Sequence, residues 1–212
     1  MSAIKAIVAT WLFLLSGLAA IAQQPTAEWQ TRLAQVLPLL GHRNWIMIVD
    51  SAYPLQSSAG VETIETNTDQ MQVIRQVLSA IDNSIHVRPI VYMDAELPYV
   101  PEKDAPGVTA YREGIKSALA GQKITSLPHE QIIAKVDEVG KTFHIVILKT
   151  TMTVPYTSVF LQLSCKYWSD DAEARMRKSD ECRRREIAKY PSNSLAGAQS
   201  QSPARRSSRC AR

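Results

Sequence analysis

A run of five apolar residues, Trp45–Val49, constrains the fold of this chain more than any other segment. The run ends at Asp50, and the turn-rich segment 51–60 follows it. A strand without polar residues is typical of a sheet that is covered on both faces. The run therefore predicts a buried strand near the middle of a sheet, with Asp50 at its carboxyl end.

Strand and helix patterns alternate along the rest of the chain. The helical spacing of apolar residues, with capping signals, predicts helices over 29–40, 69–81, 108–119 and 128–139. Apolar runs predict further strands over 61–66, 86–93, 143–148 and 159–163. The 212 residues suffice for one domain. The alternation predicts the α/β class, as a single domain with a central mixed sheet flanked by helices.

The first 22 residues have the organisation of a secretory signal peptide. Lys5 precedes the apolar run 6–18, and the segment 20–22 (Ala-Ile-Ala) has the small-x-small pattern of a cleavage site. We expect cleavage before Gln23 and a secreted or periplasmic protein whose mature form is not attached to a membrane. The alternative is a retained anchor helix, since residues 6–22 approach the length that spans a bilayer.

The segment 169–212 is predicted to lie outside the α/β domain, which we place at 23–168. It carries 11 Lys or Arg against 6 Asp or Glu, and its first part has oppositely charged residues at i,i+4 spacing, as in a solvated helix. The Ser-, Gln- and Arg-rich composition beyond Tyr190 predicts a disordered basic tail. A tail that contacts acidic lipid or nucleic acid is the alternative to a solvated appendage. Because the basic residues lie outside the domain, we predict no nucleic-acid partner.

Three cysteines, Cys165, Cys182 and Cys210, are too few and too scattered for a disulfide framework or a zinc site. A Cys182–Cys210 disulfide in an oxidising compartment is one alternative, and free thiols are the simpler one. The sequence also has no motif of a phosphate-binding loop, a zinc protease or a serine hydrolase. The sequence thus offers no motif for a metal or a nucleotide.

Histidine is the side chain best suited to proton transfer near neutral pH, and the chain has four. His86 and His144 lie in strand patterns and are interpreted as structural or surface residues. His42 follows a helix-ending glycine, and Asp50 stands at a strand end, where α/β sheets bind ligands. His129 lies in the first turn of a helix, where the helix dipole favours a neutral imidazole that accepts a proton. Taken alone, each histidine is explained more simply as a capping or surface residue.

Three stretches gain weight from their order along residues 33–165. They are Gly41-His42 with Val49-Asp50 and Pro54, then Thr66-Asn67 with Met71-Gln72-Val73, and finally Pro128-His129-Glu130-Gln131 followed by Pro155-Tyr156-Thr157-Ser158-Val159. In this order the stretches resemble the ribose pyranase / fucose mutarotase family. The resemblance covers essentially the whole predicted domain.

The resemblance implies an isomerase that opens and recloses a monosaccharide ring, exchanging anomers or pyranose and furanose forms. It implies no cofactor, and a homo-oligomeric ring, often a decamer, with sites between neighbouring subunits. By position, His42 is the implied proton donor, and Asp50, His129 and Tyr156 are the implied ligands of the sugar hydroxyls. Ring opening needs a proton donor and a proton acceptor, which groups of near-neutral pKa provide.

Three features depart from the family's pattern. Ser158 stands where the family has a sugar-binding Asn, and a hydroxyl is shorter and donates one hydrogen bond instead of two. The acidic segment 94–107 has no match that we recognise and is either a lid or a solvated surface insertion. An export signal is unexpected, since familiar members act in the cytoplasm. The alternative function is therefore a non-catalytic monosaccharide-binding or scaffold protein of the same fold.

The signal-peptide pattern predicts that the mature chain begins at Gln23. Mass spectrometry of the protein purified from its native host should find this N-terminus in the exported fraction. A chain that keeps Met1 and stays in the cytoplasm would contradict the prediction.

Overall fold

A computed structural model of the chain describes residues 28–189. Its strands are β1 Trp45–Val49, β2 Val61–Glu65, β3 Val87–Asp94, β4 Ile124–Leu127, β5 Ile145–Lys149 and β6 Val159–Cys165. Its helices are α1 Glu28–Val36, α2 Gln70–Asn83, α3 Val108–Ala118, α4 His129–Gly140 and α5 Asp170–Lys189, with short 3-10 turns at Leu37–Leu39 and Leu97–Tyr99. The predicted α/β class is confirmed.

The six strands form one mixed sheet in the order β2-β5-β1-β6-β3-β4. Strand β5 pairs in parallel with both β1 and β2, and β3 pairs in parallel with β4. Strand β6 runs antiparallel to its neighbours β1 and β3. Strands β1 to β5 therefore point the same way, and β6 points the other way.

The two faces of β1 belong to two different hydrophobic cores, which explains its uninterrupted apolar run. Ile46 and Ile48 pack in the larger core, which the apolar faces of α1, α2 and α3 complete. Trp45, Met47 and Val49 point to the opposite face, where α4 covers them with Ile132 and Val136. Because successive side chains of a strand alternate between faces, each residue of β1 is buried.

The parallel orientation defines two ends of the sheet. At the carboxyl end lie Asp50 after β1, Asp94 as the last residue of β3, and His129 just beyond β4. The turn before β6, which contains Tyr156, lies at this end because β6 is antiparallel. His42 precedes β1 and lies at the amino end; the 5 residues of β1 separate the two ends by roughly 16 Å.

The observed boundaries differ from the predicted ones at several places. Strand β4 was not predicted, because it has only four residues, lies at the edge of the sheet and is only partly buried. The predicted helix 29–40 is divided, with a 3-10 turn at Leu37–Leu39 where Pro38 interrupts the α-helix.

The segment 94–107 is anchored to the domain at several points, although most of its residues are exposed. Asp94 belongs to β3, and Leu97 and Ala105 are buried in the larger core. Glu102 accepts hydrogen bonds from the backbone N–H groups of Gly107 and Thr109 at the start of α3. These bonds lower the pKa of Glu102 to about 2.

The charged segment after the domain forms the expected helix, α5, with ion pairs Glu173–Arg177, Asp180–Arg184 and Glu181–Arg185. Cys165 is a free thiol. The predicted signal peptide, the predicted tail beyond Tyr190 and Cys210 lie outside the described residues. Within 28–189, no helix is both long enough and apolar enough to cross a bilayer.

A buried polar network fixes the turn before β6. The amide of Gln70 donates to the Thr157 carbonyl at 2.5 Å and to the Tyr111 hydroxyl at 3.1 Å, and it accepts from the Thr150 hydroxyl at 3.1 Å. The Tyr111 hydroxyl also donates to the Thr157 carbonyl, at 2.5 Å. Helices α2 and α3, the end of β5 and the start of β6 are thereby joined around one side chain.

The substitution Gln70→Leu should lower the free energy of unfolding by about 1–3 kcal/mol, the usual effect of leaving buried partners without their hydrogen bonds. Urea unfolding at matched protein concentration measures the effect. Gln72→Leu is the control, because Gln72 is exposed on the same helix and should change stability by less than about 0.5 kcal/mol. Equal stabilities of the two variants would contradict a structural role of the network.

Candidate functional site

A cavity of about 660 Å³ opens at the carboxyl end of the sheet. Three separate segments build it: the loop after β1, the first turns of α4 and the turn before β6. Its polar and aromatic lining residues include Asp50, Tyr53, Gln56, His129, Glu130 and Tyr156. Its volume lies in the range of small-molecule sites.

Asp50 and Tyr53 form the part of the wall that follows β1. The Oδ1 atom of Asp50 accepts a hydrogen bond of 2.8 Å from the backbone N–H of Ala52, which holds the carboxylate at the start of the turn. Burial raises the pKa of Tyr53 to about 12. Tyr53 therefore keeps its proton at physiological pH.

His129 is held at two points by acidic side chains. Its backbone N–H, at the start of α4, donates to both carboxylate oxygens of Glu96, at 3.0 and 3.1 Å. Its ring Nδ1 lies 3.0 Å from the Oδ1 atom of Asp94. Both the main chain and the imidazole ring of His129 are thus fixed by residues at and just beyond the end of β3.

The Asp94 side chain is fully buried, with an exposure of 0%. Burial raises the pKa of this carboxyl, and the hydrogen bond from His129 opposes the rise. Its second oxygen, Oδ2, has no hydrogen-bond partner among residues 28–189. A buried oxygen without a partner is unfavourable, so the position of this carboxylate behind His129 lowers the stability of the fold.

Tyr156 adopts a left-handed backbone conformation, with φ of 60°. For a residue other than glycine this conformation costs about 1–2 kcal/mol. Thr157, held by Gln70 and Tyr111, anchors the adjacent residue. The conformation places the Tyr156 ring against His129, edge to face, with 5.6 Å between the ring centroids.

Of the five residues predicted for the site, the structure brings together Asp50, His129 and Tyr156. Ser158 is only 2% exposed and does not line the cavity. His42 is exposed in a turn at the amino end of the sheet, where the Asn44 side chain accepts from the N–H of Gly41 at 2.7 Å. His42 is thus remote from the cavity of its own chain.

The other two histidines have contacts at the amino end of the sheet. His86 Nε2 lies 3.0 Å from the Leu40 carbonyl oxygen, and His144 Nε2 lies 3.6 Å from Glu62 Oε2. These contacts agree with their interpretation as structural or surface residues. Among residues 28–189, no group of three His, Cys, Asp or Glu side chains is arranged to hold a metal ion.

Sequence reasoning missed three residues of this region: Tyr53, Asp94 and Glu96. Asp94 could have been found, because it ends an apolar strand pattern in the same way as Asp50 follows one. Parallel strands bring such residues to one end of the sheet. Glu96 accepts its hydrogen bond from the N–H of His129, which is 33 positions away in the sequence, so nothing in the local sequence indicates the contact.

The fold and the cavity define a small α/β protein with a cavity at the carboxyl end of a mixed sheet, where Asp50, His129 and Tyr156 meet. The protein-family model of the RbsD / FucU transport protein family matches residues 28–165. The chain therefore belongs to this family. The resemblance found in the sequence is confirmed.

Several solved structures are similar to the chain. The Bacillus subtilis RbsD complexed with D-ribose has 17% identity and a TM-score of 0.47, with coverage of 66% of this chain and 97% of that chain. FucU from Bifidobacterium longum has 16% identity, a TM-score of 0.44 and coverages of 63% and 92%. The Streptococcus pneumoniae fucose mutarotase in complex with L-fucose has 19% identity and a TM-score of 0.43, with coverage of 63% of this chain and 91% of that chain. No curated protein matches the chain.

Replacement of Asp94 by Asn should stabilise the fold at neutral pH. Because burial raises the pKa of Asp94 above its unfolded value, ionisation of Asp94 destabilises the folded state as the pH rises from about 3.9 through the folded pKa. Asn has no such ionisation. The stability difference between Asp94→Asn and wild type should therefore grow from acid to neutral pH.

Thermal unfolding of both proteins across this pH range measures the difference. Asp82→Asn is the matched control, since Asp82 is exposed on α2 and its replacement should give no comparable pH dependence. A wild type that gains stability over Asp94→Asn as the pH rises would contradict the prediction.

Proposed function

We propose that the protein is a monosaccharide mutarotase or pyranase that opens and recloses the sugar ring by histidine-mediated proton transfer. The observation that carries the proposal is the meeting of Asp50, His129 and Tyr156 at one cavity in a chain of this family. The three residues come from segments far apart in the sequence, and each is one that the family resemblance assigned to sugar binding. We also propose that the protein acts outside the cytoplasm, on the basis of the signal-peptide pattern.

The side chains of the cavity suit a sugar. The carboxylate oxygens of Asp50 can accept hydrogen bonds from hydroxyl groups, whereas the hydroxyls of Tyr53 and Tyr156 both donate and accept. The two ring nitrogens of the His129 imidazole can donate and accept a proton. Ring opening requires one proton to reach the ring oxygen and another to leave the anomeric hydroxyl, so a second acid–base group is needed beside His129.

His42 is the second group in this proposal, and it comes from a neighbouring subunit. His42 lies at the amino end of the sheet and the cavity at the carboxyl end, so one chain does not combine them. A contact between unlike ends of two copies is heterologous, and such contacts close into rings when the rotation permits. The position of His42 thus supports the homo-oligomeric ring that the family resemblance implies.

A non-catalytic monosaccharide-binding or scaffold protein of the same fold is the second candidate. The burial of Ser158 favours it, because a side chain that is 2% exposed offers little to a ligand in the cavity. This candidate requires Asp50, His129 and Tyr156 to bind a sugar without accelerating its exchange.

Subunit complementation tests the proposal. Wild type should accelerate anomer or ring-form exchange in a panel of monosaccharides followed by saturation-transfer NMR, and His42→Ala and His129→Ala should each slow it by roughly 10²–10⁴-fold. If each site combines His42 of one subunit with His129 of the next, co-refolding the two variants in equal amounts should restore about one quarter of the sites.

The control is each variant refolded alone and mixed afterwards without unfolding. Light scattering should give a mass several times that of the monomer for all samples. Wild-type exchange at the spontaneous rate across the panel, together with sugar binding, would favour the binding protein. Activity in wild type without any recovery in the mixed oligomers would contradict the shared site.

A further inference from the structure

A buried carboxylate stands directly behind the histidine of the cavity. The Oδ1 atom of Asp94 lies 3.0 Å from Nδ1 of His129, and the Asp94 side chain has no exposed surface. His129 itself lines the cavity. One ring nitrogen of His129 is therefore engaged inside the protein, and Nε2, on the other side of the ring, is the nitrogen left for a ligand.

The partner of Nδ1 decides which tautomer the imidazole adopts. When the Asp94 carboxyl is ionised it has acceptor oxygens only, and the proton of a neutral imidazole at 3.0 Å then lies on Nδ1. The lone pair then lies on Nε2. A histidine in this tautomer is a proton acceptor towards the cavity, whereas the opposite tautomer would present an N–H group.

The helix does not need Asp94 in order to begin at His129. Glu96 already accepts the backbone N–H of His129 with both of its oxygens, at 3.0 and 3.1 Å. Asp94 contacts the ring instead, and its Oδ2 atom lacks a hydrogen-bond partner within the described part of the chain. Unfavourable burial of a carboxylate beside a cavity histidine is typical of a functional group.

We propose that His129 is the general base of the site and that Asp94 is the positioning residue that holds its imidazole in the Nδ1–H tautomer. The proposal rests on the sugar-exchange function proposed above and gives His129 a role beyond binding a hydroxyl group. Asp94, which the sequence analysis assigned to the acidic segment 94–107, thus acts in the site through its contact with His129.

The proton balance of ring opening is complete with these groups. Nε2 of His129 takes the proton of the anomeric hydroxyl, the anomeric carbon forms a carbonyl group, and its bond to the ring oxygen breaks. The ring oxygen takes a proton from the second acid–base group, His42 of a neighbouring subunit. The Asp94 carboxylate stabilises the imidazolium formed on His129, and ring closure on either face of the carbonyl returns both protons.

Nitrogen-15 magic-angle-spinning NMR of histidine-labelled wild type tests the tautomer without any substitution and at any oligomer mass. The His129 signals, assigned by their loss in His129→Gln, should show a protonated Nδ1 and an unprotonated Nε2 at neutral pH. Asp94→Asn should shift the ring towards the Nε2–H tautomer, because the amide can donate to Nδ1. A wild-type ring with its proton on Nε2 would overturn the proposal.

Exchange kinetics test the role of the pair. Asp94→Asn should lower the exchange rate at saturating sugar by roughly 10²–10⁴-fold, with a sugar dissociation constant close to that of wild type. In the His129→Gln background the same substitution should cause no further loss, since Asp94 acts only through His129. Asp82→Asn, the matched change on the exposed surface of α2, should leave the rate unchanged.

The outcomes separate this proposal from the proposed function. A wild type that exchanges sugars while Asp94→Asn retains full activity would overturn the role of Asp94 alone. An equal loss from Asp94→Asn in the wild-type and His129→Gln backgrounds would show an effect that does not pass through His129. A wild type that exchanges no sugar would overturn the proposed function and the general-base role, and the nitrogen-15 spectrum would still decide whether Asp94 fixes the tautomer.

Discussion

The burial of β1 on both faces is the constraint on which the rest of the structure depends. Because Trp45–Val49 carries no polar side chain, helices must cover the sheet on both sides, and α4 is the element that covers the smaller core. That packing brings the first turn of α4 to the carboxyl end of the sheet. His129 reaches the cavity because Ile132 and Val136, further along the same helix, are anchored on β1.

The cavity concentrates features that reduce stability. Tyr156 has a left-handed backbone conformation, and Asp94 is a buried carboxylate with one oxygen lacking a partner among the described residues. Both are tolerated because their surroundings are rigid: Gln70 and Tyr111 hold the turn of Tyr156, and Glu96 holds the start of α4. Unfavourable local conformations that the surroundings enforce are common where a protein binds or transforms a ligand.

Hydrophobic periodicity was sufficient to predict most of the fold, since β1 and α2 are defined by apolar residues that are close in sequence. It missed β4, whose border position leaves the strand half exposed. The site was predictable only in part. The position of Asp50 in the site was predictable, because Asp50 follows a buried strand. The burial of Asp94 was not, because it depends on the pairing of β3 with β4 and β6. The separation of His42 from Asp50 was implicit in the sequence, because a strand stands between them.

The position of His42 has a consequence for how the proposed activity depends on assembly. A chain with complementary halves of a site at its two ends has no complete site as a monomer. Each heterologous contact completes one site, so an open chain of copies always keeps one unused half at each tip, and closure into a ring engages every half. Catalytic capacity therefore grows with the number of contacts and not with the number of chains. In the proposed assembly, opening the ring would therefore remove one site, and only dissociation into monomers would abolish the exchange activity while each subunit stays folded.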